Sequence, residues 1–237
     1  MLIMKDYNLS EVLETIKDVG KSLRAESEKI EDIVSRIESK YKDNHAMINI
    51  GDVVMKDFSI VEPKYAKGQL EEVFGIVFYV NGSDVRFMAI EKAKDTLMFK
   101  TENTIVSKHL PLYEKESDAR KDMNGKMNSE IIKNAHDFSK KKYPSMGYCM
   151  DYSCFGFDRG MWYLPSIGEL EQIYDSKAEF NKTLKMLGKE EICNGWYTSS
   201  SDSCAEWSWW FGMLDSDVNG YGKNDYGWVR PCLSIII

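Results

Sequence analysis

The sequence predicts an α+β protein: an N-terminal coiled-coil helix followed by a mixed domain that ends in an antiparallel sheet. Three observations predict it. Residues 9–41 carry an apolar heptad. Two β-rich runs, FGIVFYV (74–80) and DVRFMAI (84–90), flank an Asn81-Gly82 pair. Five of the six tryptophans lie beyond residue 195, in short β-like stretches separated by Gly, Asn, Asp and Ser.

The heptad places Leu9, Ile16, Leu23, Ile30 and Ile37 at d, and Leu13, Gly20, Ser27, Val34 and Tyr41 at a. A seam of period 3.5 needs a partner helix, and Ile at d favours trimers or tetramers over dimers. Residues 1–43 are therefore expected to oligomerise or anchor the chain, as a homotrimer through residues 9–41. Gly20 and Ser27 weaken the middle of the rod. Asp43-Asn44 marks the break, and residues 44–237 form the second domain.

Met47–Met55 reads as a short strand. The two runs around Asn81-Gly82 predict a hairpin with a type I′ turn. Residues 101–126 are polar and irregular, as in a long loop. Asn128 to about Lys142 reads as a helix with Ile131, Ile132, Ala135 and Phe138 inward. Ser166 and Glu169 form a capping-box pattern after Pro165, with Leu170, Ile173 and Tyr174 on the buried face. A further short helix through Phe180, Leu184 and Leu187 stops at Gly188, a suitable C′ residue. Trp162 is expected in the core, and Trp196 and Trp228 half-buried in the sheet. Trp207 and Trp209 share one strand parity, Ser208 and Trp210 the other, so one set faces outward if the other is core. Arg230 is expected to tie the last strand to a buried carboxylate.

Composition excludes several classes. The formal net charge of −7 lacks the basic footprint of a nucleic-acid binder and disfavours anionic membranes. No apolar run reaches the roughly 18 residues a membrane span needs. The start of the chain carries no basic region followed by an apolar one, so no signal peptide is expected. The five cysteines (Cys149, Cys154, Cys193, Cys204, Cys232) contain no Cys-x-x-Cys and read as scattered reduced thiols. His45, His109 and His136 lie apart without metal-ligand spacing. Asp215, Asp217 and Asn219-Gly220 match the start of an EF-hand loop, but position 12 is Tyr226 instead of an acid. A hairpin turn explains them without calcium, and no cofactor is expected.

The order GMWYLPSIGEL (160–170), GWYTSS (195–200), an aromatic strand at Glu206–Phe211 and a closing VRP (229–231) resembles a group of bacterial and phage proteins with a C-type-lectin-like fold. That group includes DUF1566-type domains and variable proteins diversified by retroelements. FGIVFYV is similar to the strand that opens these domains, so the resemblance covers about residues 48–237. It implies a ligand-binding face on a C-terminal sheet pinned by its core. Ser199–Asp202, Ser208, Asp215–Asn219, Tyr221 and Asn224–Tyr226 have the composition of the diversified positions. The sugar-binding EPN, QPD and WND signatures of calcium-dependent lectins are absent. Rigid aromatics beside small polar residues suit contact with a partner. The candidate ligand-binding residues are Ser201, Asp202, Trp207, Trp209, Trp210, Asp215, Asp217, Asn219, Tyr221, Asn224 and Tyr226; no catalytic residue is expected.

The function expected is non-enzymatic attachment: a phage fibre, tail-tip or capsid-decorating protein, made in the host cytoplasm, that binds a host-surface glycan or protein. A virion cement protein without receptor binding, contacting other virion proteins, is the first alternative. A formylglycine-generating-like enzyme using Cys149, Cys154 or Cys232 is the second. The bacterial cytoplasm is the alternative location.

Overall fold

A computed structural model describes residues 48–237, together with Glu14, Lys17 and Lys21, which are helical and exposed. The heptad seam and its trimer lie outside the described residues. Ile48–Ile237 form one compact unit.

Its framework is a five-stranded antiparallel sheet of order β10-β4-β3-β1-β2. The strands are β1 (Val53–Met55), β2 (Ile60–Val61), β3 (Val73–Asn81), β4 (Asp84–Ala89) and β10 (Cys232–Ile236). Of the expected strand Met47–Met55, Met47 lies outside the described residues and the strand is confined to Val53–Met55, because Asp52 turns the chain first. Its carboxylate accepts the Asn49 N–H at 2.8 Å, and Gly51 adopts φ +95°. The β3–β4 hairpin forms as expected, with a different turn. Asn81 pairs with Asp84, so the loop is Gly82-Ser83, and only Gly82 has positive φ (57°). That is the type II′ pattern, with glycine at the first loop position.

Both faces of this sheet are apolar. One packs on α5 (Ile167–Asp175) and α6 (Lys177–Met186) through Ile76, Phe78, Ile173 and Leu184. The other packs Phe74, Val77 and Phe87 on Trp162 and Tyr152. Trp162 is buried as expected, stacked on Phe74 at 5.3 Å and edge-on to Tyr152 at 4.9 Å. α5 starts where the capping pattern placed it: the Glu169 carboxylate accepts the Ser166 N–H at 2.9 Å. α6 ends at Gly188 (φ +67°), where the Lys189 N–H reaches the Leu184 carbonyl at 2.8 Å, a Schellman closure.

Short helices α1 (Pro63–Ala66) and α2 (Glu116–Ala119) interrupt the loops. The helix expected over 128–142 is α3 (Gly125–Lys133), and it stops early. The Asn134 side chain bonds the Glu130 carbonyl at 2.8 Å and caps it. Ile132 is buried; Ile131, Ala135 and Phe138 pack against the same cluster from the side. A helix the sequence reading omitted, α4 (Pro144–Asp151), follows with proline in its first turn. Within the expected loop 101–126, α2 is a single turn.

The C-terminal sheet is separate. It runs β6 (Trp196–Asp202), β7 (Trp207–Gly212) and β8 (Val218–Gly222) in that order. A two-stranded ladder of β5 (Leu97–Met98) and β9 (Tyr226–Gly227) lies beside it. The architecture is α+β with antiparallel sheets. No helix among the described residues is long and apolar enough to cross a membrane.

Arg230 corrects one expectation. It is buried but meets no carboxylate: its Nη1 donates to the Ala89 carbonyl at 2.9 Å, and its Nε and Nη2 have no protein partner. The carboxylate tie belongs to Arg86, which bonds Asp84 and the buried Glu169 at 2.7 and 2.8 Å.

Candidate functional site

The serine run of β6 points inward. Ser199, Ser200, Ser201 and Asp202 are all buried. Ser201 Oγ donates to Asp122 Oδ2 at 2.7 Å and accepts the Ile167 N–H at 3.0 Å. Ser199 Oγ donates to the Trp209 carbonyl at 2.6 Å. Asn128 reaches Asp122 at 2.8 Å. These small hydroxyls let α3 and α5 pack closely on β6 while the Ser199 and Ser201 hydroxyls each find an acceptor. Ser201 and Asp202, expected on the ligand face, build the support beneath it.

Two buried lysines complete that support. Lys223 Nζ donates to Asp202 Oδ2 at 2.9 Å, to the Cys204 carbonyl at 2.7 Å and to the Thr104 carbonyl at 3.2 Å. Lys100 Nζ meets Asp137 at 3.1 Å and the Ile105 carbonyl at 3.1 Å. Burial pushes the Asp202 carboxyl up to about 6 against the pull of Lys223. Burial likewise lowers the Lys223 ammonium, while Asp202 raises it. Removing one partner of such a pair leaves an uncompensated charge in the interior. Lys223 thus gathers three segments: residues 101–112, 203–207 and 222–226. The Tyr113 N–H to Asp202 carbonyl bond (3.0 Å) and the Asn224 N–H to Asn103 Oδ1 bond (3.2 Å) add to the tie. The sequence reading missed both lysines, because a lone lysine among polar residues looks solvated.

The side chains these segments expose form the candidate binding rim. Trp207 is 52% exposed and Tyr226 62% exposed; Asn224, Ile105 and Leu112 are exposed with them. Trp207 lies over Gly220, where a Cβ would come within 3.0 Å of its ring, so the glycine seats the indole. Trp209 shares the parity of Trp207 but is half-buried, its Nε1 donating to the Tyr113 carbonyl at 2.7 Å.

Trp210 is buried, so its place among the ligand contacts is corrected. Its Nε1 donates to Ser208 Oγ at 3.0 Å, and Gly227 presses against its ring. Tyr221 is half-buried on that same opposite face, 5.1 Å from both Trp196 and Trp210. Trp196 and Trp228 are half-buried, as expected. Exposed Asn219 pairs across the ladder with Trp210. Asp215 and Asp217 sit in the β7–β8 turn, at the far end of β7 from Trp207, about 17 Å along the strand. Asp215 Oδ1 accepts the Asp217 N–H at 3.3 Å, and Arg120 holds the Ser216 carbonyl at 2.8 Å. Asn219 and Gly220, the next residues of the EF-hand-like pattern, lie in strand β8 and not in that turn. Among the described residues no three His, Cys, Asp or Glu side chains gather to hold a metal. The predicted set therefore divides among interior, rim, opposite face and distal turn.

All five cysteines are free thiols. Burial pushes Cys149 and Cys232 well above the usual thiol value, and Cys154 up to about 11. A nucleophilic cysteine needs the opposite shift.

No protein-family profile matches this chain, and no curated protein matches its sequence. Among solved structures, it is similar in fold to a fimbrial protein from Bacteroides ovatus, with a TM-score of 0.61 and 17% identity over 79% of this chain. The chain spans about half (49%) of that fimbrial protein's length.

Proposed function

We propose that this chain is a non-enzymatic attachment protein whose rim of Trp207, Asn224, Tyr226, Ile105 and Leu112 grips a surface glycan or protein. One observation carries the reading. Large exposed aromatics stand on segments whose backbones are fastened from below by buried Lys223, Lys100 and Asp202. A rigid aromatic loses little entropy on contact, and a pinned backbone keeps its geometry. The likeness to a fimbrial protein supports attachment as the class.

The finer reading follows the sequence: a C-type-lectin-like domain displayed on a phage virion, with residues 9–41 joining three copies so that weak contacts multiply. The order of hairpin, capped helix and terminal sheet supports the lectin-like assignment. A bacterial surface fibre is the second carrier, favoured by the fimbrial likeness. Light scattering of the full chain tests the oligomer, which a monomer would refute. Labelled full chain is applied to a panel of intact bacteria. Trp207→Ala and Tyr226→Ala each reduce adsorption about tenfold with folding unchanged. Normal adsorption with lost particle assembly would favour the cement role.

A further inference from the structure

We infer that the β1–β2 edge of the five-stranded sheet carries a second binding site, for a short neutral oligosaccharide. A cleft of about 560 Å³ opens there between the β1–β2 turn, α1 and the 153–158 loop. That volume lies within the range of small-molecule sites. The cleft shares no residue with the rim around Trp207.

Its walls are aromatic. Phe157 is 54% exposed and Tyr65 61% exposed, and both line the cleft. Phe157 is held in a raft of near-parallel rings, 5.9 Å from Phe155 and 6.1 Å from Phe74, tilted by 10° and 14°. The loop presenting it is folded around the buried carboxylate of Asp158. That group accepts the N–H groups of Cys154 and Phe155 at 2.8 and 3.1 Å, the Ser153 hydroxyl at 2.5 Å and the Trp162 indole at 2.9 Å. In the β1–β2 turn, Phe58 packs edge-on to Phe157 at 6.5 Å and takes φ +62°, a left-handed conformation that a bulky residue adopts at a cost. Ser59 N–H and Oγ bond Asp57 at 3.0 and 2.6 Å and fasten that turn. The exposed phenyl face of Phe157, braced in this way, is a surface for contact, and Tyr65 adds a second ring with the Lys64 ammonium 4.8 Å from its centre.

The polar lining selects the ligand class. Ser59, Gln69, Glu72 and Lys56 supply donors and acceptors of both kinds between the rings. A sugar ring offers the complement: a face of C–H bonds for the aromatic wall and a rim of hydroxyls for the amide, hydroxyl and carboxylate. One ammonium against Asp57 and Glu72 gives no cationic excess for a phosphate or sulfate. The same Lys56, 4.9 Å from the Phe155 ring centre, repels a quaternary ammonium. β2 is two residues long, too short to template an added peptide strand.

The full chain is applied to an immobilised array of neutral and acidic oligosaccharides. The best-retained neutral glycan is then titrated free in solution by calorimetry. Phe157→Ala weakens binding about tenfold, Gln69→Ala about threefold, and Trp207→Ala leaves it unchanged. Gln69 is exposed at the surface, so its variant decides the matter if Phe157→Ala loosens the loop. Retention of acidic glycans alone, no retention, or binding that survives both cleft substitutions overturns the inference. Loss through Trp207→Ala assigns the glycan to the rim and overturns it too.

Discussion

The two sheets are held by different chemistry. The five-stranded sheet is buried on both faces by apolar side chains, with Trp162, Phe74 and Phe87 on one side and Ile76, Phe78 and Leu184 on the other. The C-terminal sheet has an apolar contact through Tyr197 and Phe211, but polar groups fix its position: the β6 serines, Asp122, and the Asp202–Lys223 pair. Apolar packing tolerates small shifts. A hydrogen-bonded interior does not, because each misplaced donor costs about 1–3 kcal/mol. The proposed contact surface requires a fixed backbone, and the polar ties of the second region supply one.

The largest effects should come from the polar support. Lys223→Ala strands the Asp202 carboxylate and should cost roughly 3–5 kcal/mol in denaturant unfolding. The double variant Asp202→Leu with Lys223→Met should recover most of that loss, whereas no second substitution restores a missing packing group so directly. Trp162→Ala in the apolar region should cost about 3–5 kcal/mol as well, through a cavity beside Phe74. Equal losses for Lys223→Ala and for the Asp202→Leu/Lys223→Met double variant would break the distinction between the regions. Ser201→Ala should cost less, about 1–3 kcal/mol, by leaving Asp122 and the Ile167 N–H short of a partner. Trp207→Ala should change stability by less than about 0.5 kcal/mol.

A pH titration sharpens the comparison further. Burial raises the Asp158 carboxyl, but the bonds from Ser153, Cys154, Trp162 and Phe155 outweigh it and hold the pKa below the ordinary 3.8. A depressed acid contributes stability above its unfolded value and loses it as pH falls through the folded one. Wild-type protein should therefore keep this share until the pH drops below 3.8. Asp158→Asn should lack it at neutral pH and show a flatter acid limb in the stability profile.

The apolar region was largely legible in the sequence. The β3–β4 hairpin, the Ser166–Glu169 cap, the Gly188 stop and the buried Trp162 all announce themselves through periodicity or local turn chemistry. The type of the hairpin turn was not, because register decides whether Asn81 or Gly82 opens the loop. α3 ended early through one Asn134 side-chain bond that no periodicity signals. The polar region was misjudged more deeply. A run of serines and an aspartate has the composition of a surface, and only partners distant in sequence, such as Asp122 for Ser201 and Lys223 for Asp202, bring it inside. Arg230 is buried as expected, but its hydrogen-bond partner is the Ala89 backbone carbonyl in place of a carboxylate. Strand parity left open whether Trp210 or the Trp207/Trp209 pair faces outward; in the structure Trp210 is buried, Trp207 is exposed and Trp209 is half-buried.

The central claim is that the Lys223-anchored rim is a contact surface. Flow cytometry of labelled full chain on bacterial cells that bind it tests this most directly, comparing wild type with Trp207→Ala and Tyr226→Ala. The account predicts about a tenfold fall in bound protein for each, with denaturant midpoints unchanged. Undiminished binding by the double variant Trp207→Ala/Tyr226→Ala would contradict it.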